Sequence, residues 1–112
     1  MKIRIKVDDL EFEGILENTK VVNQLPLEVD VEDYASNEKI FYLTKKLSME
    51  DEPAGYKPRV GDICYYSPWG NVAIFYKDFS YSTGLIKLGE ITENVDKIKN
   101  IKNSKLKIEI IE

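Results

Sequence analysis

Histidine is absent from this 112-residue chain, Cys64 is its single cysteine, and Arg4 and Arg59 are its only arginines. Without an imidazole, no Ser-His or Cys-His nucleophile pair can form, and no histidine can bind zinc or transfer protons near neutral pH. A lone cysteine excludes an intrachain disulfide. The longest run of acids, Glu50–Glu52, cannot converge on one ion and indicates a solvated loop. We therefore expect no metal site and no cofactor.

Basic residues are outnumbered, since 20 aspartates and glutamates accompany 16 lysines and arginines and leave a formal charge of −4. Binding to nucleic acid requires a concentrated basic face, because neutralisation of phosphates dominates such affinity. Long apolar runs are also missing, and the first residues alternate instead of forming the core of a signal peptide. We therefore expect a cytoplasmic protein that binds neither nucleic acid nor a membrane.

The apolar residues that are present follow the two-residue period of half-buried strands. In the first predicted strand, Ile3, Ile5 and Val7 alternate with the basic residues Arg4 and Lys6. The same period recurs along the chain. It predicts strands over residues 1–7, 12–16, 27–32, 39–43, 63–66, 72–76, 85–91 and 106–110.

Two short helices are predicted between these strands. The first follows a cap at Asn18 or Thr19 and ends before Pro26, and the second covers residues 93–101. Neither internal repeats nor a linker interrupt the pattern, so residues 1–112 are expected to form one domain. An antiparallel sheet rolled into a barrel or sandwich, with the helices over its open ends, fits this order.

The stretch YYSPWGNVAIFY (residues 65–76) contains five aromatic residues around a turn. Ser67, Pro68 and Gly70 are typical of the first, second and fourth positions of a type I turn, which can close a hairpin if Gly70 has a positive φ. Both faces of this hairpin would carry apolar and aromatic side chains, and two apolar faces require either a covering layer or a binding surface. A one-residue change of register would exchange the faces. The predicted faces are Cys64 and Tyr66 with Val72, Ile74 and Tyr76, and Ile63 and Tyr65 with Ala73 and Phe75.

The stretch VGDICYYSPWGNVAIFY, followed by LGEI and TENVDKIKNIKN, resembles small prokaryotic cyclophilin-like proteins. The N-terminal hairpin, the NEKIFYLT strand and the closing LKIEII strand follow in the same order, so the resemblance covers nearly the whole chain. It implies a mainly β fold: an antiparallel cyclophilin-like barrel of about eight strands with two short helices.

The resemblance also implies a site. In cyclophilins, a proline-containing peptide lies in a groove on an outer face of the barrel, and an arginine stabilises the twisted amide during cis–trans isomerisation. Here Phe75 matches the phenylalanine of the proline pocket, Ala73 stands where a glutamine is usual, and Lys39 is the only cation on the strand that would carry the arginine. The predicted groove consists of Phe41, Tyr65, Phe75 and Trp69, with Lys39 beside it.

Three hypotheses on function follow from this groove. The first is a non-catalytic or weakly catalytic module that binds a short peptide or small ligand. The second is an active peptidyl-prolyl isomerase that uses Lys39 or a tyrosine hydroxyl as donor, since lowering the amide barrier requires no nucleophile. The third is an oligomer interface on the aromatic face. Trp69, at the turn, either folds back onto the barrel or contacts a ligand or second subunit.

Overall fold

Eight long strands close into an antiparallel barrel in the computed structural model, which describes all residues from 1 to 112. Around the barrel the order is β1-β10-β3-β4-β7-β6-β9-β2, and β5 pairs with β8 as a separate ribbon. The predicted eight-stranded barrel is therefore confirmed. The strands are β1 (Lys2–Val7), β2 (Leu10–Leu16), β3 (Leu27–Tyr34), β4 (Glu38–Tyr42), β5 (Gly55–Tyr56), β6 (Asp62–Tyr66), β7 (Asn71–Phe75), β8 (Ser82–Thr83), β9 (Leu85–Ile91) and β10 (Ser104–Ile110).

Both predicted helices are present as single short 3₁₀-helices, Thr19–Gln24 and Val95–Asn100. Asn18 begins the first, because its side-chain oxygen accepts a hydrogen bond from the Lys20 backbone N–H at 3.0 Å. Each helix buries one aliphatic side chain against the barrel core, Val21 in the first and Ile98 in the second. None of the helices has the length and apolar character needed to cross a membrane.

The barrel interior is filled by the alternating aliphatic residues that the sequence places on one face of each strand. On β1, for example, Ile3, Ile5 and Val7 are buried, because successive side chains of a strand point to opposite faces. The resulting core is one cluster of 19 buried residues to which all eight barrel strands and both helices contribute.

Two glycines allow the backbones of β2 and β9 to approach closely. A Cβ at Gly89 would lie 2.0 Å from the Ile15 carbonyl oxygen, and one at Gly14 would lie 2.5 Å from the Glu90 carbonyl oxygen. Both obstacles are backbone atoms, which cannot move without breaking the strand pair. These two positions therefore require glycine for barrel closure.

The predicted faces of the β6–β7 hairpin are wrong by one residue. Tyr65 pairs with Val72 and Cys64 pairs with Ala73, so Tyr65 faces the interior together with Val72. The reason is the loop: residues 67–70 all lie between the paired strands, and the Gly70 N–H donates to the Tyr66 carbonyl oxygen at 2.9 Å. Gly70 has φ 74°, so the condition for a hairpin turn at this position is met.

A second apolar layer covers the outside of β4, β6, β7 and β9. Its five buried residues pack against Tyr56 and Tyr66 on the outside. The two apolar faces of the hairpin are thus explained in part by a covering layer, as the sequence indicated. Burial also raises the pKa of the Cys64 thiol, which behaves as a small apolar side chain. The five residues are Ile40, Cys64, Ala73, Phe75 and Leu85.

Candidate functional site

A pocket of about 230 Å³ opens on the outer face of the barrel, beside this second layer. Strand pairing explains which side chains meet there: Glu38 is directly opposite Tyr34 on β3 and Phe75 on β7, so the three side chains share one face. The loop after β7 adds Phe79. We call this site the Trp69 pocket. It is lined by the aromatic residues Tyr34, Tyr66, Trp69, Phe75 and Phe79 and by the polar residues Asn37, Glu38, Asn71 and Ser82, among others.

Trp69 is held at the rim of the pocket by two edge-to-face aromatic contacts. Its ring centroid lies 5.2 Å from that of Tyr34 and 5.6 Å from that of Tyr66, with interplanar angles of 86° and 78°. Such pairs stabilise a ring beyond its area burial. Trp69 nevertheless remains 46% exposed, so it packs against the pocket walls while leaving part of its surface open to solvent.

Glu38 is the only charged side chain in the lining of the Trp69 pocket. It is half-buried, and its Oε2 accepts a hydrogen bond from the Asn37 Nδ2 at 3.3 Å. Burial raises the pKa of the Glu38 carboxyl, and the nearby Asp33 charge raises it further, while the Asn37 hydrogen bond opposes both. None of the nine ion pairs in the chain includes Glu38.

Asn71 contributes an unpaired acceptor to the same wall. Its side chain is 1% exposed, and its Oδ1 has no hydrogen-bond partner within the protein. The other end of the amide, Nδ2, donates only a long 3.4 Å bond to the Val72 carbonyl oxygen. Because buried polar atoms are nearly always paired, the unsatisfied Asn71 Oδ1 is an unusual feature of this wall.

Two of the five predicted site residues line the Trp69 pocket, and two others lie inside the barrel. Phe75 and Trp69 are in the pocket wall. Phe41 and Tyr65 are 2% and 0% exposed in the interior core, and the Tyr65 hydroxyl accepts a hydrogen bond from the Leu47 N–H at 3.0 Å. The predicted grouping of all four rings in one groove is therefore corrected, because Phe41 and Tyr65 fall on the inward-facing positions of β4 and β6.

Lys39, the fifth predicted residue, does not line the pocket either. Its side chain is buried, and Nζ lies 3.0 Å from the Asp33 Oδ1 and 5.2 Å from the centre of the Tyr76 ring. Burial raises the pKa of Asp33, but hydrogen bonds from Tyr76 and Lys39 outweigh it, and the net pKa is lowered. Lys39 is thus committed to Asp33 and is not a cation of the outer-face pocket.

A further polar cluster, on the β5–β6 side, is paired within the protein. The Tyr56 hydroxyl donates to the buried Asp62 Oδ2 at 2.7 Å, and the backbone N–H of Arg59 donates to the same oxygen at 2.9 Å. The Lys87 Nζ lies 3.8 Å from the Asp62 Oδ1. Burial, followed by the hydrogen bond to Asp62, raises the pKa of Tyr56 to about 12. Asp62 in this cluster thus has both hydrogen-bond donors and a cation beside it, whereas Glu38 has no cation and the Asn71 Oδ1 has no donor.

The sequence pattern did not identify several residues of the pocket lining, because their role depends on which strands and loops are neighbours in the fold. Glu38 could have been assigned to the outer face from its two-residue offset from Ile40 on β4. Phe79 was visible as an aromatic residue in a polar loop, and its 48% exposure marks it as a rim residue. Asn71 and Tyr34 carry no sequence signal that separates them from ordinary strand residues.

Two solved structures have a fold similar to that of this chain. The solution structure of the hypothetical protein AF2241 from Archaeoglobus fulgidus is similar with a TM-score of 0.72 and 17% identity, over 97% of this chain and 93% of that one. The structure of McbB in complex with tryptophan is similar with a TM-score of 0.73 and 9% identity, over 97% of this chain and 44% of the McbB chain. At these identities the likeness concerns the fold alone.

Among curated proteins, none matches the chain significantly. A family model does match, and its description is "Cyclophilin-like family". The match runs over residues 5–110, which include seven barrel strands in full and the second half of β1. The chain therefore belongs to the cyclophilin-like family.

Proposed function

We propose that this protein is a binding module that holds a small molecule, or one side chain of a short peptide, in the Trp69 pocket. The observation that carries the proposal is the convergence of exposed aromatic rings. Tyr34, Trp69 and Phe79 are 42%, 46% and 48% exposed and all line this one pocket. Clustered exposed rings beside a concave surface are typical of ligand sites, whereas isolated ones are common on any surface.

The size of the pocket favours a compact ligand. Its volume of about 230 Å³ is below the roughly 300–1,000 Å³ of sites for drug-sized molecules. A single ring or one amino-acid side chain fits this volume better than an extended peptide. McbB, which shares the fold over 44% of its chain, is described in complex with tryptophan, and an amino acid falls in the size class that we propose for this pocket.

Trp69 provides a direct test, because it is the only tryptophan of the chain. We expect fragments that bind to change its fluorescence and to shift amide NMR signals of residues 34–38, 66–71, 75 and 79. Trp69→Ala should weaken such binding by about tenfold or more, the loss expected for a central aromatic contact worth roughly 1.4 kcal/mol. The NMR titration measures both the site and the affinity.

Tyr42→Ala is the matched control for this test, since Tyr42 is 50% exposed and lies outside the pocket. Its fragment affinities should equal those of the wild type. A broad fragment screen in which no signal change gathers around the Trp69 pocket would refute the proposed function.

We expect no peptidyl-prolyl isomerase activity from this site. No lysine or arginine lines the Trp69 pocket, and its one charged group, Glu38, is an acceptor when ionised. Isomerisation is accelerated by a donor directed at the prolyl nitrogen, which weakens the amide resonance. NMR exchange on a Xaa-Pro peptide measures this directly. Faster exchange at catalytic amounts of protein would contradict the expectation and favour a tyrosine hydroxyl as donor.

A further inference from the structure

The negative charge of Glu38 in the Trp69 pocket is not paired with a cation of the protein. Acids elsewhere that are comparably buried have cations beside them: Lys20 Nζ lies 2.9 Å from the Glu52 Oε2, and Lys87 Nζ lies 3.8 Å from the Asp62 Oδ1. Glu38 has no such partner, and its only hydrogen bond is the 3.3 Å contact from the neutral Asn37 amide. Since a half-buried carboxylate loses hydration, an unpaired one is costly unless a ligand compensates for it.

The second polar group of the wall has the same bias. The Asn71 Oδ1 is buried, unpaired and an acceptor, and ionised Glu38 is an acceptor as well. The rings of Tyr34, Trp69 and Phe75 line the same pocket, and the faces of aromatic rings are electronegative. Acceptors, a negative charge and ring faces all attract the same kind of group, a cation that carries N–H donors.

We propose that the ligand of the Trp69 pocket is an organic ammonium whose N–H groups are donated to Glu38 and whose apolar part lies against the aromatic rings. The inference rests on the proposed function and deepens it by naming the chemistry of the ligand. An ammonium on a ring-bearing small molecule and the side chain of a peptide lysine share this chemistry, and the experiment below distinguishes them.

The affinity for an ammonium should depend on pH through Glu38. The titratable and charged groups that face Glu38 are Asp33 and Tyr34 on β3, Cys64 on β6 and Tyr76 after β7. Burial raises the pKa of Glu38 above its ordinary value of 4.5. Because the ligand binds the ionised form, affinity is full above this raised pKa and falls as pH is lowered through it. A primary amine keeps its charge throughout that range.

Three ring-bearing probes of similar size test the proposal: phenethylammonium, neutral 2-phenylethanol and 3-phenylpropionate. Each is titrated at pH 7 against wild type, Glu38→Gln and Glu28→Gln, and phenethylammonium is also titrated at a series of lower pH values. Glu28 is an exposed acid outside the pocket and serves as the charge-matched control. We expect phenethylammonium to bind best and Glu38→Gln to weaken it about tenfold or more, since roughly 1.4 kcal/mol corresponds to tenfold. Glu28→Gln should leave the affinity unchanged, and Glu38→Gln should abolish the pH dependence.

Blocked lysine, N-acetyl-lysine-methylamide, is the fourth probe. Tighter binding than phenethylammonium identifies a peptide lysine as the source of the ammonium, and weaker binding identifies a free ring-bearing amine. Equal or better binding of the alcohol or the carboxylate, unaffected by Glu38→Gln, would overturn the inference while leaving the proposed function standing. If none of the four probes shifts pocket signals, the inference is also wrong, and only the broad fragment screen then decides whether the pocket binds anything.

Discussion

Gly89→Ala is expected to lower the free energy of unfolding by about 3 kcal/mol or more, which places it among the largest effects of single substitutions. The added methyl group would lie 2.0 Å from the Ile15 carbonyl oxygen and 2.9 Å from the Leu16 Cα. Both atoms belong to the backbone of β2, so relief requires separation of β2 from β9. That pair spans only three residue positions, and its separation would open the barrel.

Urea unfolding followed by circular dichroism measures this effect, with the midpoint reporting stability and the slope reporting compactness. Glu90→Ala, at the exposed neighbouring position of β9, should stay within about 0.5 kcal/mol of the wild type. Gly70→Ala tests a different cost, since Gly70 has φ 74° and meets only the flexible Lys46 side chain; about 1–2 kcal/mol is expected for the left-handed backbone. A Gly89→Ala protein as stable as Glu90→Ala would show that β2 and β9 are further apart than described.

The barrel was predictable because apolar and polar residues alternate along each strand, and this local pattern fixes which side chains face the core. Residues such as Leu106 and Ile108 on β10 must face the core once their neighbours Lys105 and Lys107 face water. With eight such segments and short connections, an antiparallel closed sheet buries every apolar face and leaves few free edges. The cap at Asn18 is equally local, since it depends on one side chain and the N–H two residues later.

The hairpin register and the β5–β8 ribbon were not predictable in the same way. Shifting the loop boundary by one residue exchanges the faces of β6 and β7, and the turn residues Ser67–Gly70 are compatible with more than one loop length. The ribbon joins Gly55–Tyr56 to Ser82–Thr83, and segments of two residues have no measurable period. Long-range pairing of such segments depends on the barrel that brings them together.

Only part of the candidate site was predictable, because the rest of its lining depends on long-range strand pairing. The resemblance to cyclophilins predicted an outer-face groove at Phe75 with Trp69 beside it, and both residues line the Trp69 pocket. Phe41 and Tyr65, which were predicted to line the same groove, lie in the interior because the strand pleat directs both inward. Glu38 and Asn71 lie at opposite ends of the β4–β7 pair, where they are opposite Phe75 and Tyr42, and their place in the lining of one pocket depends on this long-range pairing.

Phe41→Ala should lower the stability of the barrel core without changing ligand binding in the pocket. Phe41 is 2% exposed in the interior cluster, and deletion of a buried phenylalanine ring costs about 3–5 kcal/mol in lost burial and cavity formation. A domain of this size has a total stability of roughly 5–15 kcal/mol, so the loss is a large share of it. Because the ring lies on the inner face of β4, ligand affinity measured per folded molecule should remain within about twofold, a difference of roughly 0.4 kcal/mol.

Trp69→Ala should show the opposite pattern, because Trp69 contacts Tyr34 and Tyr66 only at the rim. A stability loss of about 1 kcal/mol is expected from two edge-to-face contacts on a half-exposed ring, together with the loss of fragment binding. If Phe41→Ala does not fold, Phe41→Leu keeps most of the buried volume and should lose about 1–2 kcal/mol with unchanged ligand affinity. A Phe41 variant that remains stable but loses the ligand would mean that the inner ring shapes the pocket through β4. The division between a structural inner face and a binding outer face would then be wrong.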